Sequence, residues 1–550
     1  MRNFAFCLLV LGLVNQTYAS TLVHNVQGYT MDAGKRIGFV ALEFDEGRVT
    51  RLYQNEQETT SSKASTRIDG GGATLLPGLI DAHGHVNNLG QSLSAVDLVG
   101  SDSEANAVQR TRTFAARFSD EKWVVGRGWN QVLWPDKQFP SRKSLDAIVD
   151  DKPVVLVRVD GHVLWVNTLA LKLAGIDRNT RDPEGGQIIR DESGAATGVL
   201  VDNAMNMVKR IMPAVSPVKI EQFELRALMH LAGLGMTSVH DARVDAMELR
   251  AYQALQGRGE LPIRVYPMLH ILDPAIDPYL KQGPMIDPDH MLDVRSVKIS
   301  SDGALGSRGA ALFEDYSDKA GHKGLLLLSD TELEHHIGRA MAAGYQVNTH
   351  AIGDLANARV LDYYERLMDK SKTQQLRHRI EHAQILRLED VPRFKAAGII
   401  ASIQPTHATS DKNMAGDRLG DARLEGAYVW KTLLEAGAAV AGGSDFPVES
   451  PNPFYGLHAA VTRQSHDNQP AGGWMVDQKL SREEALSLFT EGAAFAAHQE
   501  GYIGRLLPGY YADFILLREN YFTVPEKDIW KNKVIATYVA GREVFRAGEE

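Results

Sequence analysis

The sequence predicts an α/β chain built on a (β/α)8, or TIM, barrel, with a small β-sandwich domain made from both chain ends and a long insertion after the first barrel strand. Three observations predict it. The middle of the chain alternates short apolar, β-branched runs with helix-patterned stretches, and that alternation implies parallel pairing. Eight such runs end at His85, His240, Met268, Ile299, His350, His382, Gln404 and Asp445; eight units suit a closed barrel, with a doubly wound open sheet as the alternative. Several of the run ends carry histidine or aspartate, and barrel enzymes place their chemistry at the C-terminal ends of their strands.

Taken in order, the chain opens on Arg2, an apolar run over residues 4–14 and the small residue Ala19. The run is shorter than the roughly 20 residues that span a bilayer. Residues 1–19 therefore read as a secretory signal, with a buried N-terminal strand or helix as the alternative. The mature protein is expected in the periplasm or outside the cell, with no stable membrane insertion after cleavage. The single cysteine, Cys7, lies in the signal, so the mature chain needs no disulfide.

Residues 20–77 and 504–550 read as the composite β-sandwich. Phe39-Val40-Ala41-Leu42-Glu43-Phe44 reads as strand, and Gly70, Gly71 and Gly72 supply a turn. At the other end, 511–517 reads as one strand. Residues 534–539 turn at Ala540-Gly541-Arg542 into Glu543-Val544-Phe545 as a hairpin. Residues 78–503 read as the barrel. The stretch between His85 and His240 is too long for one helix, so about 95–230 reads as an insertion near the active face. With 550 residues, 44% hydrophobic and 23% charged, the chain can bury a core without structural metals. A net charge of −10 without a basic block argues against nucleic acid as a partner. The expected partner is a small-molecule substrate; a homo-oligomer stays open.

The chemistry-bearing string is Leu75-Leu76-Pro77-Gly78-Leu79-Ile80-Asp81-Ala82-His83-Gly84-His85. On a strand, alternate residues share a face, so Asp81, His83 and His85 are expected to point the same way. On a helix the two histidines would lie nearly opposite. The spacing therefore supports chelation only on a strand, and neutral imidazoles suit zinc and similar divalent ions. His350, His382 and Asp445 end later runs. Several unpaired polar groups buried together are costly, and a metal supplies the partner they lack. The alternative is a set of separately hydrogen-bonded core residues.

Here the chain resembles the amidohydrolase superfamily, and within it the amidohydrolase family 3 (YtcJ-like) branch. The resemblance rests on the Pro-Gly-x-x-Asp-x-His-x-His string with the later His, His and Asp. It extends to Gly126-Arg127-Gly128-Trp129-Asn130, Asp160-Gly161-His162 with Asn167, Val297-Lys298-Ile299 with Asp302-Gly303, His350-Ala351-Ile352-Gly353-Asp354 and Gly443-Ser444-Asp445-Phe446-Pro447. The resemblance implies that His83, His85 and Asp445 hold one metal, and His350 and His382 a second. It further implies that Lys298, as a carbamate, bridges the two, zinc being the expected metal with one or two ions per chain. A lysine whose pKa is lowered by burial near metals can react with carbon dioxide; the alternative is a Lys298–Asp302 ion pair.

The expected activity is hydrolysis of carbon–nitrogen bonds other than ordinary peptide bonds: N-acyl, N-formyl or cyclic amide groups. A metal lowers the pKa of water from roughly 15.7 towards about 7, and Asp445 is expected to act as general base and then general acid. An esterase or lactonase on the same scaffold and a metal-dependent isomerase are the alternatives. Candidate substrate contacts are His162, Trp129, Arg308 and His407. Arg379 and Glu381 alternate away from His378 and His382 and are expected to pair outside the barrel.

Overall fold

The computed structural model describes residues 20–32, 34–213 and 215–548. The signal reading, with Cys7, lies outside the described residues. Among the described residues no helix is long and apolar enough to cross a membrane.

Eight parallel strands form one sheet in sequential order. They are β1 (Leu79–Gly84), β2 (Met236–Val244), β3 (Arg264–His270), β4 (Ser296–Ser300), β5 (Gln346–Ala351), β6 (Arg379–His382), β7 (Ile400–Ile403) and β8 (Ala439–Gly442). The chain just past β8 returns to β1. Asp445 N donates to His83 O at 2.7 Å, His85 N donates to Phe446 O at 2.8 Å, and Gly84 bridges Phe446 in parallel. Asp81 strengthens this seam by accepting from Ser444 N and, at 2.7 Å, from Ser444 Oγ. Gly443 allows the close approach, because a Cβ there would lie 2.5 Å from His83 N.

Alternation along the strands sorts the two faces. Val239, Val265, Leu269, Val297, Ile299, Val347, Ile380 and Val440 join the apolar cluster that packs the outer helices. Helices Ala246–Gly257 and Asp330–Ala342 begin with capping boxes set by Asp245 with Glu248 and by Ser329 with Glu332. The residues between, among them His240, Tyr266, Lys298, Asn348, Arg379 and Glu381, face inward and are buried.

The two ends of the chain share a sheet. Thr74–Pro77 lies between Gln27–Asp32 and Phe514–Leu517, with Val534–Val539 and Arg542–Arg546 continuing as a hairpin. The hairpin turns through positive φ at Ala540 (47°) and Gly541 (71°). A second, four-stranded sheet of residues from Thr21–His24 to Thr66–Asp69 packs on it through Val23, Leu42, Phe44, Phe514 and Leu516. Between β1 and β2 the chain builds a separate six-stranded sheet, from Val96–Asp97 to Ala196–Asp202, before helix Pro217–Gly233 leads back to the barrel.

Candidate metal centre at the barrel mouth

β1 does not alternate cleanly. Val239 pairs with Asp81 but Asp241 with Gly84, so β1 carries one extra residue between them. The expectation that Asp81 shares a face with the two histidines is corrected by this slip. Asp81 turns to the Ser444 seam, while His83 and His85 both reach Asp445: His85 Nε2 lies 3.1 Å and His83 Nε2 3.7 Å from Asp445 Oδ1. These three residues offer ligand atoms within 4.8 Å of one another.

A second trio, His382, His407 and Asp445, meets the same distance. His407 belongs to helix Pro405–Asp411 after β7, and its Nε2 lies 3.7 Å from Asp445 Oδ2. Asp445 thus stands between two groups of imidazoles. His350 joins from β5, its ring 4.4 Å from that of His382. Lys298, on β4, brings its Nζ to 3.4 Å from His83 Nε2.

The second nitrogen of each ring shows what the first can do. His83 Nδ1 meets Glu381 Oε2 at 2.6 Å, His85 Nδ1 meets the Ala242 carbonyl at 2.9 Å, and His382 Nδ1 meets Gln404 Oε1 at 2.7 Å. All three partners are acceptors, so each Nδ1 carries the proton and each Nε2 presents a lone pair. The Nε2 atoms of His350 and His407 are buried without a hydrogen bond. Converging lone pairs, met by a single donor, Lys298 Nζ at His83 Nε2, fit a divalent metal, with His83, His85, Asp445, His382, His350 and His407 as the groups available to hold it.

Electrostatics agree with that fit. Burial raises the Asp445 carboxyl, but the His85 ring 3.1 Å away and the nearby His83, His382 and His407 outweigh it and hold the group well below the usual carboxylate range. Burial pushes His350 down to about 3 and His382 well below its ordinary value, keeping both neutral. Lys298 is lowered by burial, against the opposing pull of Glu381 and Asp445. It makes no ion pair among the described residues. The Lys298–Asp302 alternative is not realised: Asp302 instead accepts from the backbone N–H groups of Ala311, Ile352 and Gly353.

Glu381 is the residue that sequence reasoning misplaced. Arg379 and Glu381 do approach each other, at 3.8 Å, but inside the barrel, both fully buried. Arg379 also donates to the Ala496 carbonyl and contacts His240 Nδ1 at 3.1 Å. With Glu381 inward, His382 should face out by strict alternation. A left-handed backbone at His382, φ 76°, turns it back to the mouth. Nothing in residue type or spacing signals that twist.

Three candidate substrate residues have other partners. Trp129 is fully buried in the insertion, packed on Trp134 and Trp165, and donates its indole N–H to Leu156 O at 3.0 Å. His162 is exposed and pairs with Asp202 at 2.9 Å. Arg308 is held in a two-point ion pair by Asp318. Of the four, only His407 is brought to the cluster.

A parallel barrel with imidazoles and a carboxylate gathered at its mouth is the architecture of a metal-dependent hydrolase. A metal-dependent hydrolase from Pyrococcus horikoshii superposes with a TM-score of 0.73 at 28% identity, covering 92% of this chain and 99% of that one. The chain belongs to the amidohydrolase family, whose model matches residues 66–545. It is 32% identical over 524 residues to a putative amidohydrolase, YtcJ, of Bacillus subtilis, covering 94% of this chain and 98% of that protein. It is also 26% identical over 494 residues to an N-substituted formamide deformylase of Arthrobacter pascens, covering 86% and 89%.

Proposed function

We propose that this hydrolase cleaves carbon–nitrogen bonds other than ordinary peptide bonds, in N-acyl, N-formyl or cyclic amide substrates. The observation that carries the reading is the convergence of imidazole lone pairs around the ionised Asp445. A divalent metal held there supplies a Lewis acid and makes water a nucleophile near neutral pH. Asp445, 3.1 Å from His85 Nε2, is placed to take the proton of the attacking water and return it to the leaving nitrogen. Glu381 and the Ala242 carbonyl hold His83 and His85 in the tautomer that keeps Nε2 free. The likeness to a formamide deformylase supports the choice of amide over ester.

The finer assignment is zinc, with His83, His85 and Asp445 on one ion and His350 and His382 on a second. Lys298, as a carbamate, would be a further ligand, a reading supported by its burial and, among the described residues, its lack of an ion pair. His407 is added as a further candidate ligand or substrate contact. The export reading stands on residues 1–19 of the sequence alone. The test is metal analysis of purified protein with a screen of N-acylated amino acids, formamides and simple esters. Bound metal with amide turnover is expected; ester turnover alone would contradict the amide assignment.

A further inference from the structure

Arg243 sits near the end of β2 as an extra residue. Ala242 pairs with Met268 and Val244 with Leu269 on β3, so Arg243 bulges from the ladder. Its backbone is left-handed, φ 68°, a conformation that few non-glycine residues adopt. Bulges at barrel rims re-aim a side chain beside an active site. Two residues of the candidate metal centre, His382 (φ 76°) and Asp445 (φ 60°), share this backbone device. The residue before Arg243 is Ala242, whose carbonyl holds His85. Arg243 therefore stands one residue from the centre's own scaffold.

The guanidinium is exposed and makes no hydrogen bond or ion pair among the described residues. Glu248, the carboxylate within electrostatic reach of Arg243, accepts from Asp245 N at 2.8 Å, and the carboxylates around His270 are likewise engaged with backbone. Asp245 accepts from Met247 and Glu248 N–H, and Asp273 from Ala246 and Ala275 N–H. Beside it His270 ends β3 on the inward row of Tyr266 and Met268, in register with Lys298. The His270 ring makes no hydrogen bond among the described residues, and its Nδ1 is buried. Burial, then the Arg243 charge, push His270 below its ordinary pKa, so the two side chains lie within electrostatic reach.

From this geometry we propose that Arg243, with His270 beside it, forms an anion-binding subsite, and that the substrate carries a carboxylate near its scissile bond, as an N-acylated amino acid does. The inference rests on the reading of the centre as an amide hydrolase. A planar guanidinium fork matches a carboxylate in two-point geometry, which an ammonium does not. Arg308 is less suited to the role because Asp318 already occupies its fork.

The test compares N-acetyl amino acids with N-acetyl alkylamines of the same side chain, in metal-loaded wild type and in Arg243→Met and Arg243→Gln. The readout is the ratio of kcat/KM for the two substrates. Wild type is expected to prefer the carboxylate roughly ten- to a hundred-fold, the range for a charged hydrogen bond. Both variants are expected to bring the ratio close to one, at unchanged metal content and Tm. A ratio that the variants leave unaltered overturns the subsite. If wild type cleaves neither amide, the carbon–nitrogen reading fails separately. Calorimetric binding of N-acetylglycine against N-methylacetamide then decides the subsite: a preference lost in Arg243→Met supports it, and equal binding in wild type overturns it.

Discussion

The insertion and the barrel mouth both bury polar-tipped rings, and they treat them in opposite ways. In the insertion every indole of the tryptophan cluster has a backbone acceptor: Trp129 donates to Leu156 O, Trp134 to Ser101 O and Trp165 to Ser141 O, all at 3.0–3.1 Å. At the mouth, among the described residues, Nε2 of His350 and His407 is buried without a hydrogen bond and Lys298 makes no ion pair. A satisfied core stabilises without needing a ligand. An unsatisfied one is tolerable only if something else completes it, because an unpaired buried polar group is destabilising by about 1–3 kcal/mol. The difference sets the tryptophan cluster of the insertion apart from the imidazoles of the mouth.

The largest expected effect breaks the mouth's chemistry without breaking its structure. Asp445→Asn should lower kcat by on the order of a hundred- to ten-thousand-fold, the range for a lost general acid–base group, while metal analysis still finds bound metal. Near-normal turnover would remove Asp445 from the proton path. In the insertion the expected effect is on stability alone. Trp129→Ala should destabilise by about 3–5 kcal/mol, read by denaturant unfolding, while the substrate preference of the folded fraction stays put. A changed preference would return Trp129 to the site.

A subtler change separates holding a ligand from being one. Glu381→Ala removes the acceptor that fixes His83, and second-sphere losses of this kind weaken metal affinity about 10- to 100-fold. Competition with a chelator measures it, and unaltered affinity would make Glu381 a purely structural partner of Arg379.

The smallest effect is on pH dependence, outside the mouth. His378 and His498 are both pushed down to about 3, chiefly by burial. Above the ordinary value of about 6.5 they are neutral in both states. As pH falls below it, the unfolded chain takes up protons that the folded chain refuses, so stability is lost on acidification. The Tm of metal-stripped protein should therefore fall between pH 7 and pH 5, with a shallower fall in His378→Gln. An unchanged slope in that variant would contradict the assignment.

The comparison also shows what the sequence could convey. The eight barrel strands were legible because β-branched runs and outward apolar residues such as Val239, Val297 and Val347 repeat with the period of a strand, although the second strand runs on to Val244 and does not end at His240. His83, His85, His350, His382 and Asp445 were legible as a group because their residue types share one chemistry. Three features were not. The one-residue slip in β1 that diverts Asp81, the φ of 76° that returns His382 to the mouth, and the bulge at Arg243 are backbone irregularities without a residue signature. Each breaks the alternation from which the faces were read. Trp129, His162 and Arg308 were marked by motif or charge, and local partners such as Leu156 O, Asp202 and Asp318 are set by tertiary packing that residue spacing does not report.

The most direct test of the account is metal content measured together with hydrolase activity in wild type and in a His83→Ala, His85→Ala double variant. The account predicts at least one divalent ion per wild-type chain, removable by chelation with loss of activity and restored by its return. It predicts little metal and no turnover in a folded double variant. Full amide hydrolysis by wild type stripped of metal, or by the double variant, would contradict it.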